Sequence, residues 1–275
     1  MTKNVMSEDI SLAIAVFNQL AYTKGCLESL NHGGISDSQI IIVNNASTDG
    51  TTEFLASRPE IRAIHNTANL GCGPAWTQGA QVAKSSWIIV MNNDVLVPPG
   101  CIEGLVSFAE EQKFDVVSPA LCEGDMDYDF LKYAGDFMHT MMNIRRNDVA
   151  HGVCFMVHRR VFDTIGYFDT IGGYEDDDFF RRARRAKFRL ATTGRAFIHH
   201  FGSVTQKSIK AARKMPEKKL GDREAYRRKT GQTWIKRKVT QVKTGVRNAW
   251  WKKTELWRFG RTLHETRIAG RWKFC

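Results

Sequence analysis

The feature that most constrains the fold is a short apolar segment that runs directly into polar residues. Residues 87–91 read Trp-Ile-Ile-Val-Met, and the next three residues are Asn92, Asn93 and Asp94. A continuous apolar run of this length is typical of a strand that is buried on both faces of a sheet. In open α/β sheets, ligands bind at the carboxyl ends of such strands. We therefore predict a ligand site there, with Asp94 placed to hold a hard divalent cation that would neutralise a diphosphate.

A second strand of the same design lies earlier in the chain. Residues 40–43 are β-branched and lead into a polar turn that holds Asn44, Asn45 and Asp49. Side chains of this kind stabilise a turn or cap a helix by bonding to the backbone, or they contact a ligand at the strand end. Both interpretations stay open for Asn44 and Asp49.

Two further segments complete the pattern. Asn69 and Gly71 precede a predicted helix, where glycine lets the backbone approach a ligand closely. Residues 175–178 are four adjacent carboxylates ahead of a helical run. Because adjacent acids repel one another, at least one of them must be neutralised, hydrogen-bonded or shifted in pKa. The helix dipole favours acids at this position, but four acids exceed what a helix N-terminus requires.

The alternation of apolar segments and helical patterns predicts the fold class. Strands are predicted near residues 11–17, 39–44, 61–65, 87–91 and 115–118, with helices between most of them. This alternation predicts an α/β fold with a mostly parallel, Rossmann-like sheet flanked by helices. Beyond it we predict a helix from about residue 98 to 113, a strand at 152–157 and a helix at 159–165. Residues 120–150 are predicted to be irregular.

Taken in order and at this spacing, these segments resemble the inverting glycosyltransferases of family 2, which have the GT-A fold. The resemblance covers roughly residues 10 to 205. It implies a nucleotide-sugar site that is built from Phe17, Asn18, Asn44, Asn45, Asp49, Asn69, Gly71, Asn92 and Asn93. Asn44 and Asn92 depart from the family pattern, in which aspartate is common at Asn44 and an acid opens the triplet at Asn92. The usual acidic contact to the nucleobase is thereby softened to an amide, and Asp94 is left as the favoured direct carboxylate ligand of a metal.

The resemblance also implies a divalent metal. Asp94 would hold Mn²⁺ or Mg²⁺, and His199, from the run of residues 198–200, would be a second ligand. Neutral imidazole suits Mn²⁺ better than Mg²⁺. Two alternatives stay open: Asp94 caps the helix that follows it, and His199 and His200 have a structural role beside a strand end.

The carboxylate cluster would supply the general base. Asp176 is similar to the family aspartate that takes the acceptor proton, with Glu175 beside it. Asp177 and Asp178 would tune this base or hold the acceptor. The acceptor hydroxyl would attack the anomeric carbon on the face opposite the leaving diphosphate. This attack would invert the carbon without a covalent sugar–enzyme intermediate.

Charge divides the chain into two parts. Residues 205–275 contain 22 Lys or Arg and 5 Asp or Glu, a net charge of +17, which leaves −6 for residues 1–204. We therefore predict a catalytic domain at 1–204, with a nucleotide-sugar half at about 10–118 and an acceptor half at about 119–204. A basic helical extension follows, and so uneven a charge indicates an anionic partner.

An apolar stripe at three- and four-residue steps runs along this extension. Its members are Ile235, Val239, Val242, Val246, Ala249, Trp250 and Trp257. Three interpretations are open. The helices pack on the catalytic domain and leave a solvated basic face, or they form an interfacial helix on anionic lipid. The third interpretation is binding of nucleic acid through phosphate contacts and aromatic stacking.

The sequence thus predicts a metal-dependent hexosyl- or pentosyltransferase, with UDP as the nucleotide by resemblance. The favoured acceptor is a lipid-linked or surface glycan. One alternative is a DNA glycosyltransferase acting on hydroxymethylated bases, and another is a non-catalytic sugar-nucleotide-binding module. The cysteines show no zinc spacing, and neither a membrane-spanning run nor a signal-peptide core is found. A cytoplasmic protein with reduced thiols is therefore expected, with peripheral attachment at the inner membrane face as an open alternative.

Overall fold

A computed structural model of the chain describes residues 9–202, 204, 222–231 and 233–275, apart from the side chain of Lys236. The strands are β1 (Ile10–Val16), β2 (Ile40–Asn44), β3 (Arg62–His65), β4 (Trp87–Asn92), β5 (Val95–Leu96), β6 (Val116–Gly124), β7 (Arg145–Asn147), β8 (Cys154–His158), β9 (Leu190–His200), β10 (His264–Ile268) and β11 (Arg271–Phe274). The helices are α1 (Leu20–His32), α2 (Thr51–Ala56), α3 (Cys72–Val82), α4 (Cys101–Gln112), α5 (Phe130–Met141), α6 (Arg159–Ile165), α7 (Glu175–Arg185), α8 (Arg223–Thr230) and α9 (Trp234–Phe259). A 3₁₀ helix covers Asp37–Gln39.

The eleven strands form one sheet, in which eight follow the order β11-β10-β6-β8-β4-β1-β2-β3. The strands β4, β1, β2 and β3 pair in parallel. β8 then runs antiparallel to both β4 and β6, while β9 pairs in parallel with β6. The α/β prediction is confirmed. The sheet is parallel in the nucleotide-sugar half and mixed beyond it.

Side chains that alternate along β1 form the two faces of the core. Leu12 and Ile14 join the cluster that includes α1 and α4, whereas Ala13 and Ala15 join the cluster that includes α3 and α7. The second face carries alanine because α3 lies close to it. A Cβ added at Gly79 of α3 would be 2.8 Å from the Cβ of Ala13.

The prediction that residues 120–150 are irregular is wrong. β6 continues to Gly124, and α5 and β7 occupy most of the remainder. Asp129 caps α5, since its side chain accepts a hydrogen bond from the Lys132 N–H at 3.1 Å. The buried residues Ala134, Phe137 and Met141 lie on one face of α5. This periodicity is visible in the sequence once the cap is recognised.

The C-terminal extension is helical as predicted in α8 and α9, but it ends in a β-hairpin. β10 and β11 pair with each other, and β10 pairs in parallel with β6. The final strands therefore belong to the central sheet rather than to a separate appendage. Residues 205–221 and 232 of the predicted extension lie outside the described residues.

All six cysteines are free thiols, of which Cys72 and Cys275 are exposed and the other four are buried. Within the described ranges, no helix combines the length and hydropathy that crossing a bilayer requires.

Candidate active site

A cavity of about 530 Å³ opens at the carboxyl edge of the parallel strands. The ends of β1 and β4 and the turn after β2 form its floor, as expected for a ligand site in an open α/β sheet. Nine of the predicted residues line it: Phe17, Asn45, Asn69, Gly71, Asn92, Asn93, Asp94, Glu175 and Asp176. Predicted residues that do not line it are Asn18, Asn44, Asp49, His199, Asp177 and Asp178.

Amide side chains hold the wall of the cavity that leads into α3. Nδ2 of Asn45 donates to the carbonyl oxygen of Gly71 at 3.1 Å, and the Asn69 side chain accepts from the Gly71 N–H at 2.9 Å. Gly71 has φ 89°, a left-handed conformation that a side chain would strain. These two hydrogen bonds therefore fix the turn that leads into α3.

On the neighbouring wall, the segment after β4 brings Asp94 and His200 together. Asp94 is 3% exposed, and its Oδ1 lies 3.3 Å from Nε2 of His200. The other carboxylate oxygen accepts the Val204 N–H at 3.1 Å. Although burial opposes protonation, Asp94 and Glu123 raise the pKa of His200 to about 9.

The structure places His200, and not the predicted His199, at the cavity. His199 is fully buried, and its Nδ1 lies 2.8 Å from the hydroxyl of Tyr128. Burial lowers the pKa of His199 to about 4. Successive side chains of a strand point to opposite faces, so only one of two adjacent histidines can face the cavity. In β9 that histidine is His200.

The first turn of α7 carries two carboxylates into the cavity. Glu175 is buried and Asp176 is partly buried. Burial, and next the neighbouring Asp177, raises the pKa of Asp176. Burial also raises the pKa of Glu175, and Asp176 adds to that effect. A carboxyl group with a raised pKa is a better proton acceptor than an ordinary surface aspartate.

Two glycines, neither of them among the predicted site residues, make room for these carboxylates. A Cβ at Gly152 would lie 2.1 Å from Oδ2 of Asp176, and a Cβ at Gly73 would lie 2.6 Å from Cγ of Glu175. Gly73 carried a signal, because glycine at the start of a helix indicates close backbone approach. Gly152 precedes a strand, where the same argument applies more weakly.

Asp178, predicted to tune the base or hold the acceptor, points away from the cavity into a cluster of cations. Its side chain is fully buried and lies 2.8 Å from each of three cations: Arg181, Arg182 and Lys229. Although burial opposes ionisation, these partners, Lys229 first, lower the pKa of Asp178 to about 2. Asp177 is exposed and does not reach the cavity lining.

Asn18, Asn44 and Asp49 stabilise the turn beside the cavity instead of lining it. Asn44 accepts from the Ser47 N–H at 2.9 Å and donates to Thr52 Oγ1 at 3.0 Å. Asp49 accepts the Leu20 N–H at 2.8 Å, which caps α1. The Asn18 side chain accepts the Thr48 N–H at 2.7 Å. The turn interpretation of Asn44 and Asp49 therefore describes their contacts.

Nothing in the sequence indicates that the other residues of the cavity lining belong to the site. They include Ala15, Val16, Leu70, Cys72, Trp76, Val153 and the pair Gly172 and Gly173. Trp76 packs edge-on against Phe155 and Phe168, with ring centroids 6.3 and 5.4 Å away. Its role could not be predicted because an aromatic residue on a helix is more often a core residue than a site residue.

Residues 11–166 match the family described as "Glycosyl transferase family 2", and the chain belongs to that family. "Glycosyltransferase GlyG" of Streptococcus pneumoniae is 30% identical over 116 residues, which are 41% of this chain and 38% of that protein. The "PGL/p-HBAD biosynthesis glycosyltransferase" of Mycobacterium bovis is 24% identical over 170 residues, which are 60% of this chain and 62% of that protein. The matched region thus spans less than two thirds of these relatives.

Solved structures share the GT-A fold. Staphylococcus aureus TarS 1-349 in complex with UDP superposes with a TM-score of 0.56 at 14% identity, over 70% of this chain and 60% of that one. GalNAc-T7 with UDP, GalNAc and Mn²⁺ gives a TM-score of 0.57 at 15% identity, over 72% of this chain and 44% of that one. The predicted family and fold class are confirmed by these matches.

Proposed function

We propose that this protein transfers a sugar from a nucleotide diphosphate sugar, with UDP as the nucleotide, to an acceptor hydroxyl with inversion. The observation that carries the proposal is that one cavity holds both Asp94 with His200 and Asp176 with Glu175. In a direct displacement, the leaving group must be bound on one side of the anomeric carbon. A general base must lie on the other side, within reach of the acceptor hydroxyl. TarS and GalNAc-T7, whose structures contain UDP, support the choice of donor.

The family implies a divalent cation, and the residues present fit one. Asp94 would hold it, and His200 would join once it has lost its proton, because a metal-ligating imidazole is neutral. Asn92 lines the same cavity. Among the described residues, no group of three or more His, Cys, Asp or Glu could hold a metal alone. A site with few protein ligands is usual for Mg²⁺ or Mn²⁺ that binds together with a nucleotide. When bound, the ion would supply positive charge for the diphosphate.

The remaining chemistry belongs to side chains of this chain. Asp176 would accept the proton of the acceptor hydroxyl, which its raised pKa favours. The α7 N-terminus, where Asp176 lies, stabilises the carboxylate form that must be present before proton transfer. Asn45 and Asn93 line the cavity and are 3% and 4% exposed. Held by their neighbours, these amides would orient the donor without rearranging.

A lipid-linked or surface glycan is the acceptor that we favour. The DNA alternative is supported by the positive charge of the extension, but the apolar side chains exposed on α9 suit a lipid surface better than phosphates. The non-catalytic alternative is disfavoured because both Asp94 and Asp176 face the cavity.

The test is nucleotide release from a panel of UDP-, GDP- and dTDP-sugars in Mn²⁺, comparing wild type with Asp176→Asn. We expect turnover of a UDP-sugar and a loss of about 10²- to 10⁴-fold in the variant. Asp163→Asn is the matched control, since Asp163 is an exposed aspartate on α6 outside the cavity. It should retain wild-type turnover.

Three outcomes would contradict parts of this proposal. UDP binding without turnover of any donor would indicate a non-catalytic module. Full activity of Asp176→Asn would exclude Asp176 as the base. Sugar incorporated into duplex DNA that contains 5-hydroxymethylpyrimidines, rather than into lipid-linked glycan, would identify DNA as the acceptor.

A further inference from the structure

The outward face of α9 exposes large apolar side chains along almost its whole length. The exposed fraction is 49 to 81% for each member of the set Ile235, Val239, Val242, Val246, Trp250 and Trp257, which we call the α9 stripe. An apolar patch of this extent on a folded domain marks an interaction surface.

The opposite face of α9 attaches the helix to the domain. Glu255 is 4% exposed and forms two hydrogen bonds, at 2.9 and 2.8 Å, with the guanidinium of Arg146 in β7. Arg146 also lies 5.4 Å from the ring of Trp251. At 3.6 residues per turn, Trp251 and Glu255 project roughly 140° and 180° away from the centre of the α9 stripe. The attachment therefore turns the stripe away from the domain.

Cations border the α9 stripe on both sides. Helical geometry places Lys243 and Arg247 along one edge and Lys238 along the other, with Lys253 between Trp250 and Trp257 on the stripe itself, and all four cations are exposed. The α9 sequence contains eight Lys or Arg and one acid, Glu255. Because Glu255 is buried against Arg146, the solvent-facing side of α9 presents no carboxylate.

We propose that α9 is a docking helix that lies flat in the interface of an anionic lipid bilayer. Such a bilayer offers apolar chains for the stripe and anionic headgroups for the flanking cations at the same depth, and Trp prefers this interface. The 26 residues of α9 extend over about 39 Å. The inference does not depend on the proposed enzymatic activity.

Two other occupants match the face less well. A second copy on the same stripe would bring two rows of Lys and Arg together, which costs electrostatic free energy. Nucleic acid would pair with the cations but would leave Val239, Val242 and Val246 against water, since its outer surface is phosphate and sugar.

The test is cosedimentation of the full chain with vesicles of phosphatidylglycerol and phosphatidylcholine, beside vesicles of phosphatidylcholine alone. We expect binding to the anionic vesicles that weakens as salt is raised, together with a blue shift of tryptophan fluorescence. Trp250→Ala with Trp257→Ala should weaken this binding by at least about tenfold. Lys238→Gln with Lys243→Gln should weaken it by about tenfold or more, because each cation near the surface contributes about fivefold.

Leu131→Ala is the matched control, because Leu131 is a 61% exposed apolar residue on α5 rather than α9. It should bind vesicles like wild type. Circular dichroism and UDP binding of the α9 variants should match wild type, which separates lost docking from lost folding.

The proposal is overturned if wild type binds neither kind of vesicle, or binds both kinds equally at low and high salt. It is also overturned if sedimentation velocity without lipid shows a dimer that the Trp variant dissociates. Duplex DNA binding that tracks the Trp and Lys variants, in the absence of vesicle binding, would assign the face to nucleic acid instead.

Discussion

Two carboxylates in the first turn of α7 are two residues apart in sequence and have opposite surroundings. Asp176 lines the cavity, and burial together with Asp177 raises its pKa. Asp178 is turned away from the cavity into three cations, and its pKa falls to about 2. A helix rotates each residue by about 100° from the last, so adjacent acids in one turn reach different environments.

The comparison separates a group that is held for reactivity from one that is held for stability. The carboxylate of Asp176 is poorly paired with cations, so it retains affinity for a proton. The carboxylate of Asp178 is fully paired, and the pairing joins α7 to α8 through Lys229. The sequence run alone does not reveal which acid belongs to which class.

Among variants that probe the surroundings of Asp176 and Asp178, the largest effect is expected from crowding Asp176. In Gly152→Ala, the new Cβ would overlap Oδ2 of Asp176, so that carboxylate must move. A displacement of about 1 Å at a reacting group costs roughly 10²-fold, and we expect that loss in kcat/KM. Steady-state kinetics measures it. Gly135→Ala, on α5 with nothing near its added Cβ, should leave kcat/KM unchanged. Equal activity of both variants would mean that the position of Asp176 does not matter.

The stabilising side should respond in the free energy of unfolding. Asp178→Asn removes the charge that pairs Lys229, Arg181 and Arg182, and we expect a loss of about 2 to 3 kcal/mol in urea titrations at neutral pH. Activity of the folded fraction should remain. A variant as stable as wild type would show that the attraction within the cluster only offsets the cost of desolvating its charges.

The same pair predicts a pH dependence of stability. Because the pKa of Asp178 falls from its ordinary 3.8 to about 2 on folding, its contribution is complete above pH 4 and is lost as the pH falls toward 2. The difference in unfolding free energy between wild type and Asp178→Asn should therefore shrink as the pH falls through this window. A difference that is constant with pH would contradict the ion-pair account.

The smallest effect is expected in the acid limb of the profile of kcat/KM against pH. The base must be deprotonated, so kcat/KM should fall as the pH drops through the raised pKa of Asp176. Removing the neighbouring charge in Asp177→Asn should move this limb to lower pH. A limb that does not move would assign the titration to another group.

Much of the nucleotide-sugar half could be predicted because its signals are local. Each buried strand is a continuous apolar run, and polar residues at its end must meet at one sheet edge. The local sequence does not decide between His199 and His200, because strand pairing determines which of the two faces the cavity. The pairing of β10 with β6 joins residues about 140 apart in sequence, and no short-range pattern indicates it. By contrast, α5 was predictable from the sequence, because its cap Asp129 and the apolar periodicity of the helix are both local signals.

The central claim is that Asp94 and Asp176 divide the work of one cavity between donor binding and proton transfer. Calorimetric titration of UDP in Mn²⁺ against wild type, Asp94→Asn and Asp176→Asn tests it most directly. We predict that Asp94→Asn weakens UDP binding by about tenfold or more, whereas Asp176→Asn binds UDP like wild type while losing turnover. Equal loss of UDP binding in both variants, or none in Asp94→Asn, would contradict the account.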